Sequence, residues 1–377
     1  MNAASEQNWQ EASPKTEGER KWNRDVWSPA TVFAYDSVSL KKLKEQTLPA
    51  RTEFFLWDRQ ANELKRKHQR DASWFFYAAI VILSISFLIS LWLGIGVLSL
   101  GYILIRRLRP FKDDWIRVRI STEITRAWLG VQTARWMLGR AALVEVSDLD
   151  RDWDALKVTL VDGSQEKDAF RTNPKIFDHA VGLHALKSEL ERNRGRLSAT
   201  PEFLQAAQFY YEHRPTVQIA YLNNGLEEAQ RRVAVRTAYG KVIFFGSLGF
   251  GVLALICSWK PELWEVSGTY LTSTSIAGLK EHSGEVLKKI AMFGLAWSGL
   301  MRMRLNATGA KANIVRNVEY LKKWEGLTSK WDQAGRTSLN TSAELEAWVE
   351  LAIEGETLGL QEHHRFVLDM DAAEHQF

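Results

Sequence analysis

WFFYAAIVILSISFLISLWLGIGVLSLGYILI, residues 74–105, runs for 32 positions without Asp, Glu, Lys, Arg or His. The stretch decides the solvent in which this chain folds. A transmembrane helix takes roughly 20 apolar residues, each rising about 1.5 Å. The run is therefore too long for one upright span and slightly short for two. Gly94 and Gly96, in its downstream half, offer a break point for a tight turn. Lys65, Arg66, Lys67 and Arg70 precede it, and Arg106, Arg107, Arg109 and Lys112 follow. Positive charge beside a span marks the cytoplasmic side, so the expectation is a hairpin that enters the bilayer and returns. The competing reading is a pair of buried helices in a large soluble core.

Working outward, the composition fits a membrane-associated chain. The 377 residues carry a net charge of +4 and a pI near 9.0. The basic residues gather beside apolar runs rather than among stacking aromatics, so acidic lipid headgroups are the expected counter-charge and nucleic acid is not. Sixteen tryptophans are present. Trp74, Trp92, Trp259 and Trp297 lie in or near apolar runs and suit an interfacial belt, whereas Trp136, Trp153 and Trp348 lie in polar sequence and suit core anchors. Cys257 is the single cysteine, so no internal disulfide forms. The polar N-terminal segment lacks the apolar centre of a signal peptide and reads as a mobile cytoplasmic tail over 1–36.

The pattern divides the rest into a first helical unit (37–143, with the hairpin at 74–105), a small cytoplasmic α/β insertion (144–200), a second helical unit (201–335) and a C-terminal helix and tail (336–377). Pro49 divides the helical stretch before the hairpin. Over 112–143, Trp115, Ile116, Ile120, Ile124, Trp128, Val131 and Met137 recur at helical spacing and predict an amphipathic helix. In the insertion, Leu156, Val158 and Leu160 alternate before Asp162-Gly163, predicting a short strand and turn, and a helix follows over 174–194. In the second unit Pro215 kinks or divides a long helix. Val242 to Trp259 is an uncharged run of 18 residues, long enough to cross. The uncharged segment 290–301 has only 12 residues and is assigned as a weak return span. The fold class expected is mainly α: an integral membrane protein with two helical hairpin units, long cytoplasmic amphipathic helices and the α/β insertion.

The two halves share an order of basic cluster, apolar pair and amphipathic helix. A Glu-x-x-basic-x-Trp motif occurs in each, at Glu123, Arg126, Trp128 and at Glu319, Lys322, Trp324. Residues three apart share a helix face and can pair, for about 0.2–0.5 kcal/mol when exposed. A solvated helix face is the plain reading of both.

No catalytic constellation emerges. Asp148, Asp150, Asp152 and Asp154 alternate like a calcium loop, but Trp153 and Thr159 stand where glycine and glutamate are required, which leaves a surface loop. Glu362-His363-His364 has no second ligand cluster, and His179 and His184 have no nucleophile nearby in pattern. Phosphate-loop, dinucleotide and zinc-helix motifs are missing, so no catalytic residue, metal ligand or cofactor is assigned and an enzyme is not expected. The apolar runs contain no ionisable carrier of the kind ion-coupled transporters use. They do contain small residues at helical spacing: Ser86, Ser90 and Gly94; Ser247 and Gly251; Gly294 and Ser298. Such stripes let helices approach closely in lipid, either within one chain or between copies, and both readings stand.

Two segments resemble a known family. FYYEHRPTVQIAYLNNGLEEAQRR (209–232) is similar to the helix that precedes the hairpin in bacterial SLATT proteins (SMODS and SLOG-associating two-transmembrane effector domains), with Tyr210, Arg214, Gln218 and Tyr221 at the pattern positions. DDWIRVRISTEITRAWLGVQTA (113–134) resembles the helix that follows it, through Arg119, Glu123 and Arg126. Pro215 departs from the continuous helix of that pattern. The resemblance implies a membrane effector in the bacterial inner membrane, N-terminus cytoplasmic, that oligomerises and forms a pore or perturbs the bilayer. A nucleotide-sensing or nucleotidyltransferase partner protein would trigger it in phage defence. A non-catalytic membrane scaffold anchoring a cytoplasmic partner is the alternative.

Overall fold

The computed structural model describes residues 38–89, 109–144, 149–161, 175–259, 276–307, 310–336 and 339–375. Among these residues there are eleven helices and no strand. They are α1 (Val38–Gln46), α2 (Leu48–Ile89), α3 (Arg109–Ala141), α4 (Leu149–Val161), α5 (Lys175–Ala180), α6 (Leu183–Arg192), α7 (Pro201–His213), α8 (Pro215–Trp259), α9 (Ile276–Ala307), α10 (Ala310–Arg336) and α11 (Ser342–His375). The N-terminal tail, residues 90–105 of the apolar run (Ser90 and Gly94 among them) and the Asp162-Gly163 turn lie outside the described residues.

The mainly helical expectation stands, but the strand expected at 156–160 does not. Leu156, Val158 and Leu160 belong to helix α4 rather than to a strand. Trp153, Leu156 and Leu160 are buried, a three-then-four spacing that is helical. Three apolar residues at alternate positions fit either period, so the pattern was too short to separate them. Asp150, Asp152 and Asp154 sit on the same helix, which replaces the expected surface loop.

Local chemistry sets the helix ends. Pro49 falls in the first turn of α2, after the break at Thr47, where its missing N–H costs nothing. Gly182, at φ 84°, separates α5 from α6 and so divides the single helix expected over 174–194. Thr200 caps α7 by accepting from the Phe203 N–H at 3.1 Å, with Pro201 at the first helical position. Pro215 ends α7 at His213. The Tyr211 carbonyl, which an ordinary residue at 215 would have bonded, accepts instead from the Thr216 hydroxyl at 3.1 Å. A reciprocal capping box opens α11: the Glu344 N–H donates to Thr341 Oγ1, and Glu344 Oε2 accepts from the Thr341 N–H at 2.9 Å. Glu344 is held below the ordinary carboxylate range chiefly by that backbone hydrogen bond.

The chain divides into two compact units by packing rather than by sequence order. One contains Met1–Lys65, Lys112–Glu228 and Ala312–Ala372; the other contains Arg66–Phe111, Ala229–Lys311 and Ala373–Phe377. In the first unit, α3 is buried on every side from Ile120 to Leu138, so it is a core helix and not the amphipathic one its apolar spacing suggested. Trp136, Trp153 and Trp348 are core residues, as expected. The hydroxyls of Thr122, Thr125 and Thr133 donate to carbonyls one turn back, at 2.8, 2.8 and 3.0 Å. Each buried donor is thereby satisfied within its own helix.

Candidate functional site

The charged side chains on the buried stretch of α3 cannot reach water and must be paired where they are. Glu123 is the hub. Arg126 donates to it at 2.7 Å, Arg119 forms a second ion pair, and His363 Nε2 lies 2.7 Å from its carboxylate. Arg119 also donates to Asp58 at 3.0 Å, and the Arg126 guanidinium stacks over Phe54 at 5.1 Å. Burial works to raise the Glu123 pKa, but Arg119, Arg126 and His363 outweigh it and hold the carboxyl well below its ordinary range. Burial likewise opposes charge on Arg119, and Glu123, Tyr221, Asp58 and Glu362 overcome it and raise the guanidinium pKa.

A second cluster joins α7, the start of α8 and α11. Glu356, fully buried, accepts from the Tyr210 hydroxyl at 2.6 Å and from Arg214 Nε and Nη2 at 3.0 and 2.9 Å. The Gln218 amide donates to Glu362 at 2.9 Å, and Arg214 reaches Gln218 Oε1 at 3.4 Å. Gly130 makes room for this: a Cβ there would lie 2.7 Å from Glu356 Oε2. Helix α11 thus carries Glu356 and Glu362 to one cluster and His363 to the other. Four carboxylates face three guanidiniums and one imidazole in a closed layer, and that layer can hold α3, α7, α8 and α11 in one register.

Six of the seven family-pattern residues therefore meet in this layer: Arg119, Glu123 and Arg126 in one cluster, Tyr210, Arg214 and Gln218 in the other. Tyr221 is 41% exposed at the surface and acts on Arg119 electrostatically. Pattern reading missed Asp58, Glu356, Glu362 and His363. The one available signal was the seven-residue spacing of Glu356 and His363 on an otherwise apolar helix face. The Glu-x-x-basic-x-Trp repeat splits on inspection. Trp128 and Trp324 are both buried, but Glu123 is buried with Arg126, whereas Glu319 is exposed and pairs with Lys323 at 2.6 Å rather than with Lys322. The solvated-face reading holds for the second copy and fails for the first.

The ionic hub makes stability depend on pH. A carboxylate whose folded pKa is depressed contributes stability that is complete above its unfolded pKa and lost as pH falls through the folded one. Glu123→Gln is expected to destabilise the protein at neutral pH and to flatten its loss of stability below about pH 4. Chemical unfolding of the purified protein at pH 7 and at pH 3.5, followed by tryptophan fluorescence, measures both effects. An acid limb unchanged in the variant counts against the assignment.

The second unit carries a different kind of surface. On α8, Val242, Phe245, Val252, Leu253 and Leu255 are each at least half exposed, and Phe244, Leu248, Phe250 and Ile256 are 38–45% exposed. The buried residues of that stretch are small, Ser247 and Ala254. Against this small face runs α9, antiparallel. Ser298 Oγ donates to the Gly240 carbonyl at 3.4 Å, a Cβ on Gly294 would lie 2.8 Å from Ser247 Cβ, and one on Gly251 would lie 3.6 Å from Ala291 Cβ. Ser247, Gly251, Gly294 and Ser298 are thus gathered in one seam within the chain, the intramolecular of the two readings. Ser86 lies on α2. The apolar segment 290–301 is continuous with a longer helix, since α9 extends from Ile276 to Ala307.

Among the described residues, one helical run is long and apolar enough to cross a membrane, by length and composition: Pro201–Ile256, which joins α7 to most of α8. Within the same residues no group of three His, Cys, Asp or Glu is placed to hold a metal ion. Glu362 and His363 are instead spent in the ionic layer, and His179 and His184 stand exposed with ring centroids 6.3 Å apart. No family model, curated protein or solved structure matches the chain. Fold and site together define a helical protein with an ion-paired core and, among the described residues, one helical run suited by length and composition to a bilayer.

Proposed function

We propose that the chain is an integral membrane protein of the bacterial inner membrane, with its N-terminus and ion-paired helical unit on the cytoplasmic side. It acts as an effector that oligomerises and forms a pore or perturbs the bilayer. The trigger is a nucleotide-sensing or nucleotidyltransferase partner protein, as in phage defence.

The observation that carries the membrane reading is the inverted surface of α8, with small residues inside and large apolar ones outside. Nine large side chains from Val242 to Ile256 leave on the order of 800 Å² of apolar surface open, beyond what soluble monomers expose. Moving that area from water into lipid is favourable by roughly 20 kcal/mol. The exposed positions spread over about 240° of the helix circumference, at 100° per residue. A partner protein covers a stripe, whereas lipid covers such an arc. The charge-free runs and the resemblance at 113–134 and 209–232 support the effector reading.

Gly246 and Gly249 support oligomerisation. Both stand on the exposed arc with nothing within 4 Å of where a Cβ would be, although a helical glycine costs about 1 kcal/mol relative to alanine. Close approach of a second helix would offset that cost. The test is a membrane-potential dye in cells expressing the wild type or the Gly246→Leu/Gly249→Leu variant, together with the candidate trigger. Depolarisation by wild type and its loss in a still membrane-integrated variant is the expected result. Wild type that never depolarises cells in any activated state sinks the pore reading.

One observation favours the second reading, a scaffold that anchors a cytoplasmic partner. Ser247, Gly251, Gly294 and Ser298 are engaged within the hairpin, which makes it a self-contained anchor. Attaching the ion-paired unit to an unrelated membrane anchor separates the two: a scaffold keeps its activity, and an effector that opens the bilayer loses it.

A further inference from the structure

Helices α6, α10 and α11 line an open groove of about 610 Å³ within the ion-paired unit. Leu327, Ile353 and Leu358 give it a buried apolar floor. Six charged residues stand along its walls: Lys187, Lys322, Lys323, Lys330, Glu350 and Glu354. Glu354 is taken by Lys330 at 3.0 Å, and Glu350 by Arg194 at 3.1 Å. Lys323 turns to Glu319, outside the groove, at 2.6 Å. Both acids of the groove thus have a cation of their own. Among the described residues Lys187 and Lys322 have no acidic partner, which leaves two uncompensated ammonium groups on one cavity.

We propose that this groove binds a phosphorylated small molecule with an apolar or aromatic body. Lys187 and Lys322 hold the phosphate, and the body rests on Leu327, Ile353 and Leu358. A phosphate monoester carries about −1.5 to −2 charges near pH 7 and matches the two spare cations. Lysine serves as a point-charge phosphate binder. The Gln361 side chain, exposed on the same groove, supplies an amide donor. Small-ligand clefts span about 300–1,000 Å³, a range that includes this groove. Gly326, between the lysine-bearing turns of α10, has nothing within 4 Å of its Cβ direction and keeps the wall open. The inference is independent of the membrane reading.

The phosphate could come from solution or from an anionic lipid headgroup, and the experiment distinguishes them. Full-length protein in phosphatidylcholine nanodiscs is titrated with ADP, with inorganic phosphate and with a short-chain phosphatidic acid, and binding is read by calorimetry. Saturable binding of ADP, at least tenfold tighter than inorganic phosphate, points to a soluble ligand. Binding of phosphatidic acid alone points to a lipid. Either result supports the site only if Lys187→Gln/Lys322→Gln weakens it at least tenfold while Lys288→Gln leaves it unchanged. Gly326→Phe, which fills the groove and keeps every lysine, should block binding as well. The proposal is overturned if neither ADP nor phosphatidic acid binds saturably, or if the groove variants bind as the wild type does.

Discussion

Glu356→Ala lowers the thermal midpoint of the purified protein by roughly 6–20 °C. The expectation follows from removing one partner of a buried ion pair, which costs about 3–5 kcal/mol, at about 2–4 °C per kcal/mol for a chain of this order of size. Glu356 is fully buried and accepts three hydrogen bonds, two of them from one guanidinium. Its loss leaves Arg214, itself 3% exposed, charged in the core without its carboxylate. Tyr210→Phe removes one hydrogen bond to a charge and should cost less, about 1.5–3 kcal/mol. Gly130→Leu should act like Glu356→Ala, because the new side chain occupies the carboxylate's place. Replacing both partners with apolar residues (Arg214→Met with Glu356→Leu) is expected to recover most of the loss, since a packed apolar pair can match a buried ion pair. Circular dichroism melts of the four variants check the series. Equal midpoints across it would show that the layer does not hold the helices in register.

A disulfide forms in nearly every molecule when Gly251→Cys and Ala291→Cys are combined in a Cys257→Ser background and mildly oxidised. The Cβ positions would stand 3.6 Å apart, within the range of about 3.5–4.5 Å that the bond requires. Adding Gly294→Leu should abolish the cross-link. A leucine there cannot share space with Ser247, and forcing the helices apart by a side chain's width takes the two cysteines beyond bonding reach. Electrophoretic mobility with and without reductant reads both results. Cross-linking that survives Gly294→Leu would mean that α8 and α9 do not pack through this seam.

Local chemistry made much of the fold readable. Pro49 and Pro215 mark helix ends in the sequence with nearest-neighbour physics, and Pro201 and the Thr341–Glu344 box do the same in the structure. The strand misreading at 156–160 has the opposite cause: three alternating residues hold too little periodicity to decide. Helix α3 was misread as amphipathic because its polar positions look solvent-facing in sequence, and only the surrounding helices show that Glu123, Arg126 and Arg135 are buried. The ionic layer was not legible as such. The resemblance picked out Arg119, Glu123, Arg126, Tyr210, Arg214 and Gln218, but the spacing of Glu123 and Arg126 read as a solvated face. Their partners Glu356, Glu362 and His363 come from α11, with Arg214 and Glu356 142 positions apart. No local rule spans that distance. Between α8 and α9, small-residue spacing located the helix–helix face but did not say what it would meet. Tertiary packing assigns Ser247 and Gly294 to each other and leaves Gly246 and Gly249 facing outward.

The central claim is that the large apolar face of α8 lies in lipid. Spin labels placed singly at Val252, Leu253 and Leu255, in the Cys257→Ser protein in nanodiscs, test it through collision rates with oxygen, which enriches in the bilayer, and with a water-soluble nickel chelate. High oxygen and low nickel accessibility at all three positions, with the reverse at exposed Lys330, is the result this account predicts. Nickel accessibility at Leu253 and Leu255 equal to that at Lys330 would contradict it.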